Sequence, residues 1–505
     1  MNAATTAVCS VALGTRALEV ETTGGRNTAL GHRAMNCNLT GSSNVAVGLM
    51  AMFNNTGGAN NTAIGAGALY SNTTGYCNVA IGAGALCSNT ISCCNVAIGA
   101  SALRYNTVGL WNIAIGSSAL LSNTTGSLNI AIGRNAMEFS NGVTANNIAI
   151  GQSSLRYNSG VYNIGIGVGS LGKNTSGQKN IALGDYSLFN NTGGNYNLGI
   201  GFNALITNTT GVSNIALGTT SLRYNTTGNH NVAIGCRSVF NNTIGSYNIG
   251  VGRRTLLSNT TGNENIAIGS YALCQNATGN HNIALGYRTL DAKADSTSCN
   301  IGIGYRAAQN VAGTGNIAIG ACALQNYGTN YNIAIGQHAN RYLAGHRETI
   351  AIGFDAATSG YNYHTVWGNG NNNVCNCVYV AWSVVSDERD KANIQGLSKN
   401  LGLNLIKKLK PVSFNWDHRE KYVKQCGFEY GTKDGTLSGV REHYGVIAQD
   451  LKAAIDELGV KFDALGHDKE KDAYRVTYEE LIAPIISAIQ EIDKRVEALE
   501  KKILD

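Results

Sequence analysis

The chain has 505 residues, of which 63 are glycine and 2 are proline, and only 13% are charged, against roughly 25% in ordinary globular proteins. With 43% hydrophobic residues this is not a charge-rich disordered chain, and no apolar run reaches the ~18 residues of a membrane-spanning helix. A net charge of +6 is small for the length and gives no basis for a nucleic-acid partner. The opening segment lacks the basic and apolar regions of a secretory leader.

Two compositions are joined near position 385. Residues 1–385 carry 17 Lys+Arg and 9 Asp+Glu, whereas residues 386–505 carry 20 and 22. Both prolines, Pro411 and Pro484, fall in the second part, and 54 of the 63 glycines in the first. Such a break marks a domain boundary. The expected division is a repeat shaft over 1–360, a linker with a short β segment (378–382) over 361–385, and a C-terminal domain over 386–505.

The first part is one repeated unit. Asn129-Ile-Ala-Ile-Gly133 returns as Asn147–Gly151, Asn180-Ile-Ala-Leu-Gly184 and Asn265–Gly269, and its final glycine recurs from Gly14 to Gly353 in 21 copies spaced by 17 residues, with slips of one. The fuller unit reads N-[IV]-A-[IL]-G-x-x-[AS]-L-x-x-N-T-T-G-x-x. The two large aliphatics sit two apart and so share one face of a strand of about five residues, with the alanine on the other. The Asn-Thr-Thr-Gly run is turn chemistry, its glycine free to take positive φ. One unit cannot bury its aliphatic pair alone, but stacked units bury a continuous row. The expected fold is mainly β, a parallel β-solenoid or β-roll of 21 seventeen-residue coils. At strand spacing it extends about 100 Å. The small alanine and glycine face is compatible with an oligomeric axis.

Thirteen cysteines, among them Cys93, Cys94, Cys375 and Cys377, lack zinc-site spacing and read as reduced, packed thiols. The Asn-x-Thr triplets read as turns, and the repeats lack the aspartates of calcium-binding rolls. No metal and no cofactor is expected. Tyr162, Tyr196, Tyr247 and Tyr331 precede the strand asparagine, and Arg104-Tyr105, Arg156-Tyr157 and Arg223-Tyr224 recur later in the unit. Stacking between coils is the favoured role, with contact to sugars or a protein receptor as the alternative.

The second part is expected to be a small α+β domain. A helical stretch (401–409) leads to the strand Pro411-Val-Ser-Phe-Asn-Trp416, then to His443–Leu451, and the chain closes on a helix. In that helix Ile485, Ile489, Ile492, Val496, Leu499 and Ile503 are spaced 4, 3, 4, 3, 4, a heptad seam whose isoleucines favour three strands. The alternative is an amphipathic helix packed on its own domain. The seam's run to the last residues favours a trimeric coiled coil over about 481–505.

Ser386-Asp-Glu-Arg-x-Lys391, the Pro-Val-x-Phe-x-Trp strand, Gly445-Val-Ile-Ala-Gln-Asp450 and the Tyr-x-x-Leu-Ile-x-Pro ending together resemble the peptidase S74 domain, the intramolecular chaperone of endosialidase-type phage tail spikes and fibres. The repeats are similar to those of YadA-type adhesin heads. The resemblance implies a homotrimeric viral tail fibre, from a phage or a giant virus, whose chaperone aligns three chains and then cuts itself off. Carried over, Ser386 is the nucleophile, Lys391 its general base, and Ser386–Asp387 the scissile bond. Asp390 stands where the family commonly has an aliphatic residue, and a carboxylate there raises the lysine pKa. The implied partners are two further copies of the chain, other tail proteins of the virion, and a host surface glycan or protein receptor. The implied location is the virion, after synthesis in the host cytoplasm. Neither a nucleic acid nor a membrane partner is implied. The alternative is a non-cleaving structural or surface-binding trimer in which the C-terminal domain only oligomerises. Few acidic residues line the repeat, so no glycosidase carboxylate pair is expected.

Overall fold

The computed structural model describes residues 9–140, 144–292, 296–326, 329–341, 347–357, 365–367, 396–415, 442–468 and 473–504. The chain divides into two compact units, Met1–Cys377 and Val378–Asp505.

In the first unit each repeat supplies one three-residue strand, from β1 (Val11–Leu13) to β21 (Ile350–Ile352), and β22 (Thr365–Trp367) follows. All pair in parallel with the coils before and after, residue for residue: Ile113 with Ile130, Ala114 with Ala131, Ile115 with Ile132. The parallel β-solenoid expected from the repeat is what the chain forms, with strands shorter than expected. Gly116 ends its strand at φ +133°, and a Cβ there would lie 2.6 Å from the carbonyl of Gly133 in the next coil. Only glycine fits both the conformation and the space. The glycine of the Asn-Thr-Thr-Gly run does not take positive φ, contrary to the sequence reading. The left-handed corners fall instead on residues such as Ser118 (φ 57°), Leu120 (φ 51°) and Leu128 (φ 60°).

The slips in period leave the strands in register. An 18-residue unit keeps Ile130 opposite Ile148, and the 16-residue unit after it keeps Ile148 opposite Ile164. The extra or missing residue is taken up between strands, where side-chain facing is not at stake.

The core corrects the sequence reading. The alanines, not the isoleucine pair, point inward: Ala114, Ala131 and their equivalents are fully buried, and across from them lie Ala119 with Leu120, or Ala136 with Met137. The coil is thin, so one Leu or Met per turn fills it against an alanine. The Ile and Val of each strand face out. Val11, Leu13, Ile64, Ile166, Ile234 and Ile268 are each more than a third exposed. The small face is therefore the interior and the aliphatic face the surface.

Buried polar groups are satisfied by ladders. Asn61 receives at its Oδ1 the backbone N–H and the Nδ2 of Asn78 (2.9 and 3.1 Å), while its own Nδ2 donates to Asn44 Oδ1 and to Gly75 O (3.1 and 2.8 Å). A second column joins Asn72 Nδ2 to Asn55 Oδ1 (2.8 Å) and Gly75 O (3.0 Å). Along these columns an amide bonds the next coil to the last, so a coil within them is held on both sides.

The second unit is small and α+β. Strand β23 (Pro411–Asn415) pairs antiparallel with β24 (Glu442–Val446), and β25 (Leu465–Asp468) with β26 (Ala473–Val476). Its helices are α1 (Leu403–Ile406), α2 (Ala448–Leu458) and α3 (Ile482–Leu504). Leu405, Leu451, Ala454, Ile455, Ala464 and Leu481 form its core. The helix expected over 401–409 is shorter than its pattern, a single turn of α1 after a 3₁₀ turn (Lys399–Leu401).

Candidate functional site: the C-terminal unit and the exposed aliphatic faces

Three of the four motifs singled out in the C-terminal region meet in space. Val412 of β23 lies opposite Gly445 of β24, and Phe414 opposite His443, with their rings stacked at 5.9 Å. Tyr478, from the third motif, accepts at its hydroxyl the N–H of Val446 (3.1 Å) and donates to the Val446 carbonyl (3.4 Å). A Cβ on Gly445 would lie 2.2 Å from that hydroxyl. Glycine is required because the tyrosine clamps the strand end directly over it. The clamp ties β24 to the segment that leads into α3, so α2 and α3 are set from one point.

The fourth motif is the one to which the sequence resemblance assigns the cleavage chemistry. Ser386, Asp387, Asp390 and Lys391 lie outside the described residues, as do Cys375, Cys377 and the 378–382 segment. Among the described residues no group of three or more His, Cys, Asp or Glu is placed to hold a metal ion. No helix among them is long and apolar enough to cross a membrane.

Among the described residues the seam of α3 has no partner. Its own-domain side is formed by the buried Leu481, Pro484 and Ala488, and Ser487 sits against Gly402 at the start of α1. Ile485, Ile489, Ile492, Val496, Leu499 and Ile503 are 44% to 82% exposed. The helix thus packs on its domain by one side at its first turns and leaves the isoleucine seam free. Ile482 and Ile486, which the heptad spacing missed, are 55% and 51% exposed and widen the face where the helix begins. The far side is polar and internally paired, with Arg495 to Glu491 at 2.6 Å.

The solenoid presents a second apolar surface, the outward Ile and Val of successive strands. Sequence reasoning placed these inside. The signal that assigns them to the surface is size: the middle residue of every strand from β1 to β21 is alanine or glycine, whereas the flanking positions accept Thr28 and Thr62 as well as Val, Leu and Ile.

The tyrosines are placed by stacking between neighbouring coils while staying accessible. His230 stacks on Tyr247 at 4.9 Å, Lys179 Nζ lies 5.1 Å over Tyr196, Phe139 stacks on Tyr157 at 5.2 Å and Tyr224 meets Phe240 edge to face at 5.1 Å. Tyr162, Tyr196, Tyr247 and Tyr331 remain 55% to 60% exposed. Cys274 is buried, and burial first, then the nearby Asp291 carboxylate, pushes its thiol up to about 11, which keeps it an inert packing group.

Together these features define a long parallel β-solenoid followed by a small α+β unit that offers an unpaired apolar helix. Residues 386–460 match the Peptidase_S74 family, described as the chaperone of endosialidase. The C-terminal region therefore carries a domain of the endosialidase-chaperone type, and the match begins at Ser386. No curated protein matches the chain.

Proposed function

We propose that this chain is the subunit of a homotrimeric viral fibre of the tail-fibre type, folded by its own C-terminal chaperone and matured by self-cleavage. The observation that carries the reading is the chaperone-family match over 386–460 on a unit whose last helix leaves its isoleucine seam exposed. Three such helices bury one another's seams as a coiled coil. Tethering three chains in this way lets their exposed aliphatic rows meet, and apolar surface so covered leaves water at about 25 cal/mol per Å².

In the cleavage step Lys391, neutral, takes the Ser386 hydroxyl proton and the oxygen acts as nucleophile. The Ser386–Asp387 peptide bond breaks with consumption of one water, leaving a carboxylate on Ser386 and an amine on Asp387. A serine oxygen closing on its own carbonyl would form a strained β-lactone, so the hydroxyl is expected to act on the bond of a neighbouring chain. Lysine's ordinary pKa is about 10.4, and Asp390 opposes the lowering that a general base needs. Slow cleavage is therefore expected. The released fibre takes its place in the virion and meets a host surface glycan or protein receptor.

Intact-mass measurement of the purified protein over time tests this. A fragment Asp387–Asp505 that accumulates in the natural sequence and is missing from Ser386→Ala and Lys391→Met supports it. A single full-length species at all times, still trimeric, selects the non-cleaving trimer. A monomer in sedimentation overturns both.

A further inference from the structure

Two cysteines meet on the surface of the solenoid. Cys77 and Cys94 both stand immediately before the strand asparagine, one repeat apart in adjoining coils. Their backbones turn the same left-handed corner, at φ 53° and 60°, and each N–H donates to the preceding coil at 3.1 Å. Side chains at this position stack on their counterparts one coil on, as His230 does on Tyr247 at 4.9 Å and Lys179 on Tyr196 at 5.1 Å. Cys77 and Cys94 therefore face each other across one coil spacing. No other two described cysteines occupy one position in adjoining coils. The inference goes beyond the fibre reading and does not rest on it.

Coils stack at the strand spacing of about 4.8 Å, inside the ~4.4–6.8 Å between Cα atoms that a disulfide spans. Cys93 is the competing partner. Consecutive Cα atoms lie only ~3.8 Å apart, short of that range, so Cys93 and Cys94 fit a disulfide poorly. Cys93 is also buried, its thiol hydrogen-bonded with Tyr76 and Cys94, whereas Cys77 is exposed and Cys94 half-buried. Burial first, then the hydrogen bond with Cys93 and the nearby thiols of Cys93 and Cys77, hold the Cys94 thiol above its ordinary pKa. The Trp111 indole N–H, one coil further on, opposes that rise by donating to the Cys94 sulfur, which favours the thiolate.

The pair sits where the asparagine ladders slacken. Ser92 stands where the neighbouring coils have Gly75 and Gly109, and its hydroxyl bonds Asn89. Asn106 Nδ2 then reaches Asn89 Oδ1 at 3.3 Å, against 2.9 Å for the steps on either side. In the other column Asn95 Nδ2 reaches Asn78 Oδ1 at 3.3 Å, against 3.1 Å for the step before. Hydrogen bonds of this length are weak. A bond from Cys77 to Cys94 would lie directly beside the stretched Asn78–Asn95 step and close a loop containing Asn89 and Ser92.

We infer that Cys77 and Cys94 form an oxidation-dependent disulfide that staples the coil between them, with a small disulfide of the oxidised-glutathione type as oxidant. The exposed Cys77 thiolate attacks one sulfur of the oxidant and expels a thiolate, leaving a mixed disulfide. The Cys94 thiolate then attacks the Cys77 sulfur and expels the second. Two cysteine thiols are oxidised, one disulfide is reduced, and the two thiol protons end on the two released small thiols. A reducing compartment keeps the pair open and an oxidising medium closes it.

The test uses the full chain, purified with reductant and then incubated with oxidised glutathione. Peptic mapping without reduction should find a peptide pair joined through Cys77 and Cys94, and intact mass should show the loss of two hydrogens per chain. Cys77→Ser and Cys94→Ser should each abolish the link and Cys93→Ser should leave it. Ser43 and Ser213 already occupy this position in other coils, so the serine variants are compatible with the fold. Hydrogen exchange over β5 (Val79–Ile81) and β6 (Val96–Ile98) should slow by about tenfold or more on oxidation. Exchange over Val232–Ile234 should not change. A link between Cys93 and Cys94, a link between two chains, glutathione adducts without closure, no oxidation at all, or closure with unchanged exchange each overturns the inference. These outcomes are read apart from oligomeric state and cleavage.

Discussion

Gly199 replaces the usual alanine in the middle of its strand, and its φ is not the reason. A Cβ there would lie 2.5 Å from Ser187 Oγ in the preceding coil, whose hydroxyl donates to the Gly199 carbonyl at 2.9 Å. The same compensation recurs at Gly165 with Ser154, Gly250 with Ser238 and Gly302 with Thr289. At these four strands a Gly faces a Ser or Thr, although Ser170, Ser221 and Thr255 stand in the same place before Ala182, Ala233 and Ala267. Gly199→Ala is therefore expected to destabilise its coil by about 1–3 kcal/mol through overpacking. Adding Ser187→Ala should recover most of that loss by restoring the alanine pair found elsewhere. Hydrogen exchange of the amides around Leu198–Ile200, which reads local opening, measures the cycle, and strictly additive effects would refute the coupling. The pairing was visible in the sequence, since each glycine at this position follows a Ser or Thr eleven to thirteen residues earlier. The alternation of Asn-Ile-Ala-Ile-Gly was equally visible, but alternation says which residues share a face and not which face is inside. The cross-section decides that, because a coil one leucine thick has no room for an isoleucine pair.

Helix α3 shows where element-level reading succeeds. The 4-3-4 spacing identified a continuous apolar seam, and the helix exposes that seam rather than folding it onto its own core. Pro484 sits in the first turn, where a missing N–H costs little, so the helix starts abruptly behind the Tyr478 clamp. The clamp itself was beyond the sequence, because a tyrosine hydroxyl finding a backbone 32 residues away is a property of the tertiary fold. An isoleucine leaving water contributes about 1.5–3 kcal/mol, repeated in every chain of an assembly. Ile489→Asp and Ile492→Asp, in the Ser386→Ala background that keeps the domain attached, should each drive the protein to monomer in sedimentation. Helical circular dichroism of the C-terminal unit should persist, because these side chains make no part of its core. An unchanged trimer mass in both variants would show that the seam is not the trimer contact.

At the scale of the molecule the difficulty is register. Coils that repeat one short motif from Gly14 to Gly353 present nearly the same aliphatic row at every step, so two chains displaced by a whole coil lose only one coil's share of contact. Parallel strands with no hairpin give no local cue against that slip, and non-local pairing is slow enough for misaligned contacts to form first. The 18- and 16-residue units are the marks that distinguish one displacement from another, but they lie within the coils and act only after chains have met. A C-terminal trimer that forms first fixes the end and raises local concentration, so the coils zip from a single starting alignment. On the proposed reading, its later removal leaves a fibre without the template needed to re-form it, hence one that is stable for kinetic reasons. Expression of residues 1–385 alone is accordingly expected to give aggregates and assemblies with ragged, displaced ends in electron micrographs, where the full chain gives one species of uniform length. Cleaved full-length fibre, once denatured and diluted back, should fail to refold, while uncut Ser386→Ala should recover. If the truncated chain assembles into the same uniform particles, the aliphatic rows set their own register and the C-terminal domain has no chaperone role to play.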